Sequence, residues 1–371
     1  MTVDPAGGAT LSVSRLVGLE AIRHFEVEWE RLVDADPQAT FFQSPQLFRA
    51  WHHAGTGREL PWLLVAKVND RTLGCAAMVL TSSVTRGIGT RVLSFANPRA
   101  DFVACERREE VIAAICEWLQ REAREWDVLC FNDVRTSTAA ALQQNFGLRP
   151  GFRCDGPWPA PAEAFLDTRV GWDEYLKSKT AHFRKRLKQQ TCRVERLGSV
   201  RVRRYKGPST EVAYDEFLRL GSLSWKANAD SSRLPQREGA CFRELVRASD
   251  GRIQPDIMFL DVDDRSVAAI LSLAHRHTYY LFLTYFDDSV RAFYPGRRLL
   301  LESIQHAFDQ PGIRELSFVG AFPFALSWCN EQRGYSSLKI YGKSLRARWA
   351  RSFSPQQPAA SEPAVAEADH V

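Results

Sequence analysis

The 371-residue chain has no run approaching the roughly 18 apolar residues that a membrane-spanning helix needs, so no membrane span is expected. The N-terminal stretch MTVDPAGGAT has no basic region leading into an apolar core, so no secretory leader is expected and the expected location is cytoplasmic. Eight cysteines (75, 105, 116, 130, 154, 192, 241 and 329) occur singly, without a C-x-x-C or a Cys/His cluster at zinc spacing. They are expected to be reduced and buried. H-E-x-x-H is missing too, and His275 with His277, two apart in an expected strand, is weak ground for a metal; none is expected. No G-x-S-x-G occurs, GIGT at 87–90 lacks the third glycine of a dinucleotide loop, and Ser337 stands where the phosphate-loop ending Gly342-Lys343-Ser344 requires its first glycine. Serine-hydrolase chemistry and NTP hydrolysis are therefore disfavoured.

What is present suits two soluble domains of ordinary size. A net charge of +5 favours an anionic ligand without amounting to a nucleic-acid signature. Residues 1–10 and 353–371 are rich in Ala, Pro, Ser and acids and are expected to be disordered. Between them, LLVAKVNDRTLGCAAMVLT (63–81) and IMFLDVDDRSVAAILSLAH (257–275) align without gaps as two apolar runs around an Asp-Arg turn. Each predicts a β-hairpin. After the first hairpin come the amphipathic REEVIAAICEWLQREAREW and the strand-like DVLCFNDV; after the second come GRRLLLESIQHAFDQPGI and RELSFVGA. The same order twice predicts a tandem duplication of an α/β unit.

A Pro/Gly-rich connection at 147–165 separates the copies. It leads into a basic stretch in which Trp172, Leu176, Phe183, Leu187 and Val194 recur at helical spacing, predicting a helix over 171–198. From Lys177 to Arg196 it carries eight Lys or Arg residues against one acid, Glu195. Such a face is either a solvated cover over a domain seam or a surface for a polyanion.

The stretch FYPGRRLLLESIQHAF (293–308) predicts a helix that begins without a Ser, Thr, Asp or Asn cap. Free backbone N–H groups at that start, the helix dipole, and Arg297 and Arg298 together favour a phosphate or pyrophosphate, and Gly296 lets the backbone approach it. A plain turn into an amphipathic helix is the commoner use of Pro-Gly.

The order hairpin, strand, glycine turn, helix, strand resembles the acyl-CoA-binding half of the GNAT N-acyltransferase fold. The doubled arrangement resembles the BioF2-like or CelD-like branch of that superfamily, relatives of the Fem aminoacyl transferases. Matching pieces are FFQSPQLFRAW (41–51), ADFV around Asp101, WDEYLKSKTAHFRKRLKQQ (172–190), SLSW ending at Trp225, YFDDSVRAFYPGRRLL (285–300) and RELSFVGAFPFALSW (314–328). The resemblance implies an α/β (α+β) chain of two GNAT-like domains, 11–166 and 167–352, each a mixed, mostly antiparallel sheet flanked by helices. It also implies direct attack of a small-molecule amine on a CoA thioester, acetyl or longer, with no metal. Gly296, Arg297 and Arg298 would hold the pyrophosphate, and the strand around Leu283 would lie beside the pantetheine and acyl chain. Asp287 would be the general base or, equally, a loop-capping carboxylate. Tyr285 would protonate the leaving thiolate or sit in the core, and His275 would be a second base or a structural histidine. Asp101 would suit a cationic amine, Trp225 an apolar wall, and Arg184 and Arg186 an anionic group of donor or acceptor.

One departure matters. Where the family reads D-F-x-x-G-D-x-x-Y-K before a tryptophan, this chain has Ser317-Phe318-Val319-Gly320-Ala321-Phe322-Pro323-Phe324-Ala325, with Trp328 kept. The loss of the lysine at Ala325 argues against aminoacyl-tRNA or lipid II chemistry, which the basic stretch supports; the lost polar groups also suit a non-catalytic accessory protein of polysaccharide or secondary-metabolite assembly. The oligomeric state is not legible.

Overall fold

The computed structural model describes residues 10–224, 236–248 and 251–354. Trp225 and the bulk of both expected tails lie outside the described residues. The elements begin with β1 (Ser12–Val17), α1 (Leu19–Arg23), α2 (Glu26–Ala35), α3 (Pro45–His53), β2 (Leu60–Val68), β3 (Arg71–Thr85), β4 (Ile88–Phe95) and β5 (Val103–Ala104). They continue with α4 (Arg108–Arg121), β6 (Val128–Arg135), α5 (Thr136–Gly147), β7 (Arg153–Asp167), α6 (Trp172–Ser178), α7 (Ala181–Thr191), β8 (Val200–Lys206), α8 (Thr210–Leu223) and α9 (Gln236–Arg247). The last are β9 (Ile253–Val262), β10 (Arg265–His275), β11 (Thr278–Phe286), α10 (Pro295–Asp309), β12 (Glu315–Ser317), α11 (Pro323–Trp328), β13 (Glu331–Tyr341) and α12 (Leu345–Ser352).

These elements form two compact units, residues 10–161 with 334–354, and residues 162–333. The sequence boundary at 166/167 kept 334–352 with the second half; in the structure, residues 335–341 of β13 pair antiparallel with β6, which groups them with the first.

In the first unit the antiparallel ladder β1-β2-β3-β4 continues into β6, parallel to β4 at Val92–Ser94, and then β13. Trp62, Trp118, Trp126, Phe131 and Phe146 fill the core under α4 and α5. In the second unit β8-β9-β10-β11 is antiparallel, β12 runs parallel to β11, and residues 165–167 of β7 pair with β12. One face packs Ile270, Leu281, Leu299 and Ile304 beneath α10, the other packs Tyr214, Phe217, Leu271 and Tyr285 beneath α8. Burial on both faces explains why β9 and β10 read as nearly unbroken apolar runs.

Both predicted hairpins are present, closed by two-residue turns at Asn69-Asp70 and Asp263-Asp264. Asp263 and Asp264 have φ of 48° and 64°, the backbone of a tight hairpin turn that matches strand twist. Two expected elements differ. The helix expected over 171–198 is broken at Lys179, which is extended, and restarts where the Thr180 hydroxyl accepts the Phe183 N–H as an N-cap. The strand expected over 314–328 stops at Ser317: Val319 turns to φ 52°, and Pro323 starts α11, where its missing N–H costs nothing.

Candidate functional site

The second unit contains a break in its sheet. β11 and β12 are paired only from Thr278–Glu315 to Tyr280–Ser317, yet β11 runs on to Phe286. From Leu281 onward β12 no longer covers the edge of β11 that faces away from β10, and among the described residues no other strand pairs with it there. A parallel strand that ends early beside a longer one, with a helix starting just beyond, leaves a crevice at the carboxyl end of the sheet, the usual ligand position in open α/β sheets.

A bulge sits inside this segment. The β10–β11 register slips between Leu271–Leu283 and Ser272–Leu281, leaving Phe282 as the extra residue. Its effect is a change of face: Leu281 packs with the α10 side, whereas Leu283 and Tyr285 pack with α8. The Phe282 ring contacts Phe242 of α9, 5.0 Å between centroids.

Beyond β11, residues 288–293 form a short 3-10 turn that ends at Tyr294, in the left-handed region at φ 55°. α10 then starts with Pro295 at its first turn and no side-chain cap. Gly296 is buried here: an added Cβ would stand 3.1 Å from Phe286 Cδ1, so the glycine is also a packing requirement. Cations gather around this start. The Arg193 and Arg297 guanidinium groups lie 5.1 and 5.2 Å from the Tyr294 ring centroid. A cavity of about 460 Å³ opens between α7, α10 and α11, lined by Arg186, Gln190 and Arg297 on the polar side and by Phe183, Phe324 and Trp328 on the apolar side. A pocket of this size, mostly apolar with a few convergent polar groups, suits a small ligand.

Of the residues singled out in the sequence, Arg186 and Arg297 meet in this cavity, and Leu283 stands half-buried beside the bulge. The others serve elsewhere. Arg298 pairs with Glu302 at 2.7 Å and faces Glu195 at 3.8 Å. Arg184 donates to the carbonyls of Leu176, Lys177 and Lys179, closing the C-terminal end of α6, where a cation is favoured. Asp101 is in the first unit, 5% exposed, and accepts from Thr138 Oγ1, the Phe102 N–H and Arg108. Arg108 thus occupies the place proposed for a substrate cation.

The three proton-transfer candidates are also separated. His275 pairs across the β10–β11 turn with Thr278, at the closed end of the crevice. At about 3.3 Å per residue that is roughly 26 Å along β11 from Phe286. Asp287 caps the 3-10 turn, accepting from the Ser289 N–H at 2.9 Å and its hydroxyl at 2.6 Å and pairing with Arg265. Burial alone would raise the pKa of Asp287; the Ser289 bonds and Arg265 outweigh it and hold the carboxyl below its usual range. A carboxylate so engaged is a poor base, and its geometry is that of the loop cap. Tyr285 lies 4.9 Å from the Phe217 ring and against Gly221, and burial pushes its hydroxyl up to about 12.

Two acids that the sequence reading passed over lie at this crevice. Glu238, one turn before Phe242 on α9, is half-buried, and no hydrogen bond or ion pair engages it among the described residues. Burial raises its pKa, and its charge is near enough to Tyr285 to raise the phenol further. Glu163 of β7 is 1% exposed and accepts the Ser317 hydroxyl, while the Val319 N–H donates back to Ser317 Oγ at 3.0 Å. A carboxylate is therefore present beside position 317, contributed by a neighbouring strand. Val319 itself is β-branched in the left-handed region, a strained arrangement held by these bonds. Ala325 is fully buried in the core beside Trp328. Among the described residues no group of three metal-ligating side chains converges, and no helix is long and apolar enough to cross a membrane.

These features define a class: the chain has the tandem GNAT fold. Residues 181–324 match the acetyltransferase (GNAT) domain family. Among solved structures, FemX is 12% identical with a TM-score of 0.62, over 90% of this chain and 98% of that one. A tandem GNAT protein from the clavulanic acid biosynthesis pathway is 11% identical, with a TM-score of 0.51 over 90% and 99%. The L-PGS of Bacillus licheniformis is 13% identical, with a TM-score of 0.50 over 82% and 94%. No curated protein matches the chain by sequence.

Proposed function

We propose that the second unit binds a CoA thioester and transfers its acyl group to the amine of a small molecule by direct attack. The observation that carries this reading is the meeting of Arg186 and Arg297 in an apolar-walled cavity against the first turns of α10, a helix that starts without a side-chain cap. The pyrophosphate lies against Arg297 and the first N–H groups of α10, with Arg186 on the adenosine side and Trp328 or Phe324 against the base. The pantetheine follows the open edge of β11, completing its backbone bonds as a further strand would. A backbone N–H in the last part of β11, beyond Leu283, donates to the thioester carbonyl as negative charge develops on its oxygen.

The reaction forms a C–N bond, breaks the C–S bond and moves one proton from nitrogen to the departing sulfur. Glu238 is the acid placed to accept that proton: it is partly desolvated, without a charged partner among the described residues, and one helical turn from the residue that touches the bulge. Asp287 keeps the loop in place. The tandem GNAT protein from the clavulanic acid biosynthesis pathway, a neighbour solved without AcCoA, supports a CoA donor.

Thermal-shift titration with acetyl-CoA, a long-chain acyl-CoA and free CoA tests this reading: donors stabilise the chain by linkage, and Arg297→Glu removes the shift. No shift with any of the three overturns it and leaves the accessory-protein reading. A second reading, an aminoacyl-tRNA donor as in Fem-type transferases, is favoured by Lys185, Arg186 and Lys188 exposed together on α7. It predicts tRNA binding that falls steeply with salt.

A further inference from the structure

The first unit carries a second cationic cleft that the acyl-transfer reading does not use. It has a volume of about 1020 Å³ and lies between the start of β7 and α12, with Arg153, Lys343, Arg348 and Arg351 on its walls, Trp158 beside them, and Asp155 as the one carboxylate. The cations come from the start of β7, from α12 and, with Lys343, from the turn between β13 and α12. Arg348 and Arg351 are three apart on α12 and share a face, and Arg153 lies at the exposed beginning of β7.

Several of these side chains are held in place. The Lys343 stem crosses Gly151, whose added Cβ would meet it at 3.0 Å, and its ammonium stands 5.0 Å from the Phe152 ring centroid. Arg351 is fixed by Asp155, with Nε–Oδ1 at 3.0 Å and Nη2–Oδ1 at 2.8 Å. Arg348 is exposed and has no acid within ion-pair distance among the described residues. Trp158 is half-buried and packs its ring against Gly156, 3.0 Å from where a Cβ would stand. One carboxylate does not balance four cations, so the cleft holds an uncompensated positive potential in which a phosphate is favoured. An indole at its wall adds a flat surface for a ring.

The geometry points to a nucleotide site in this cleft: Arg153, Lys343 and Arg348 take the phosphates of a nucleoside di- or triphosphate, and the base lies on Trp158. The inference does not rest on the acyl-donor reading, because no residue is shared between the two cavities.

The test uses the full chain carrying Arg186→Glu and Arg297→Glu, which silences the cavity of the second unit. Tryptophan fluorescence and calorimetry follow titration with ADP, ATP, inorganic pyrophosphate and adenosine. ADP and ATP are expected to bind, pyrophosphate more weakly and adenosine least. Adding Arg153→Glu and Arg348→Glu is expected to weaken ADP by at least tenfold, since each lost guanidinium–phosphate bond accounts for roughly tenfold or more. Trp158→Leu, with the same thermal unfolding midpoint, is expected to bring ADP down to the affinity of pyrophosphate. ADP binding that survives Arg153→Glu and Arg348→Glu overturns the assignment, as does absence of ADP binding at millimolar concentration. Tight, salt-sensitive binding of a 20-nucleotide RNA without ADP binding overturns it as well, and marks the cleft as a nucleic-acid surface.

Discussion

Arg297 lies over the Tyr294 ring, 5.2 Å from its centroid, at the first turn of a helix that has no capping side chain. Arg193 reaches the same ring at 5.1 Å. Tyr294 is in the left-handed region, which costs a tyrosine about 1 kcal/mol or more and persists only where surrounding contacts fix it. The adjacent Arg298, which looks equivalent in sequence, pairs with Glu302 instead.

The two arginines are therefore expected to differ. Arg297→Ala should weaken CoA binding by roughly tenfold or more, the usual worth of a charge-assisted bond to phosphate, while Arg298→Ala should change it less than about threefold. Isothermal calorimetry with free CoA measures both. Equal losses in the two variants would remove Arg297 from its special place in the cavity.

Glu238→Gln should lower amine acylation by about a hundredfold or more at neutral pH while leaving CoA affinity intact. The variant should be at least as stable as the wild type. Burial raises the Glu238 pKa, so its contribution to stability is fully present below the ordinary carboxylate value and is lost as pH rises through the folded-state value. Glutamine carries no such cost at pH 7. The acid limb of the kcat/KM profile should move with Glu238→Asp and vanish with Glu238→Gln; an unchanged profile would exclude Glu238 as the base.

For Asp287 the expectation is the reverse. Its pKa is held low by Ser289 and Arg265, so its stabilisation is present above the ordinary carboxylate value and lost as pH falls through the depressed one. Asp287→Ala should cost about 1–2 kcal/mol in urea unfolding, as the loss of a helix cap does. At a temperature where the variant is folded, kcat should stay within about tenfold, the mark of a cap and not of a base.

What was legible in the sequence followed local periodicity. Hairpins at 63–81 and 257–275 and the helix after Pro295 were visible because paired apolar runs, Asp-bearing turns and a 3.6-residue stripe lie in contiguous stretches. The duplicated order gave the fold class. The candidate site was legible only where it is contiguous: Arg186 and Arg297 were found, on α7 and at the start of α10. Its remaining parts depend on contacts between distant segments. Glu163 reaches Ser317 across 154 positions, and the Phe282 bulge exists only as a slip between two strands. For His275, residue type suggests a base, while strand direction decides which end of the crevice it occupies. Glu238 lies in no motif; the contact of Phe242 with Phe282 brings its helix to the site.

His306 makes the second unit sensitive to acid. On α10 its Nδ1 accepts from Arg204 at 2.6 Å and its Nε2 faces Gln310 at 3.0 Å, while Arg204 pairs with Asp256 and Tyr279 donates to the same carboxylate at 2.7 Å. Lys206 adds a further cation nearby. Burial, then the Arg204 charge, push the His306 pKa down to about 4, because a second cation against Arg204 is unfavourable. Below about pH 6.5 the unfolded chain takes up a proton that the folded chain refuses, so this part of the stability is full above 6.5 and is lost as pH falls towards 4. His306→Gln keeps an acceptor for Arg204 and does not titrate. Urea unfolding between pH 7 and 4 should show a shallower loss in the variant than in the wild type, and parallel curves would mean that His306 titrates normally and that the Arg204 contact does not restrain it.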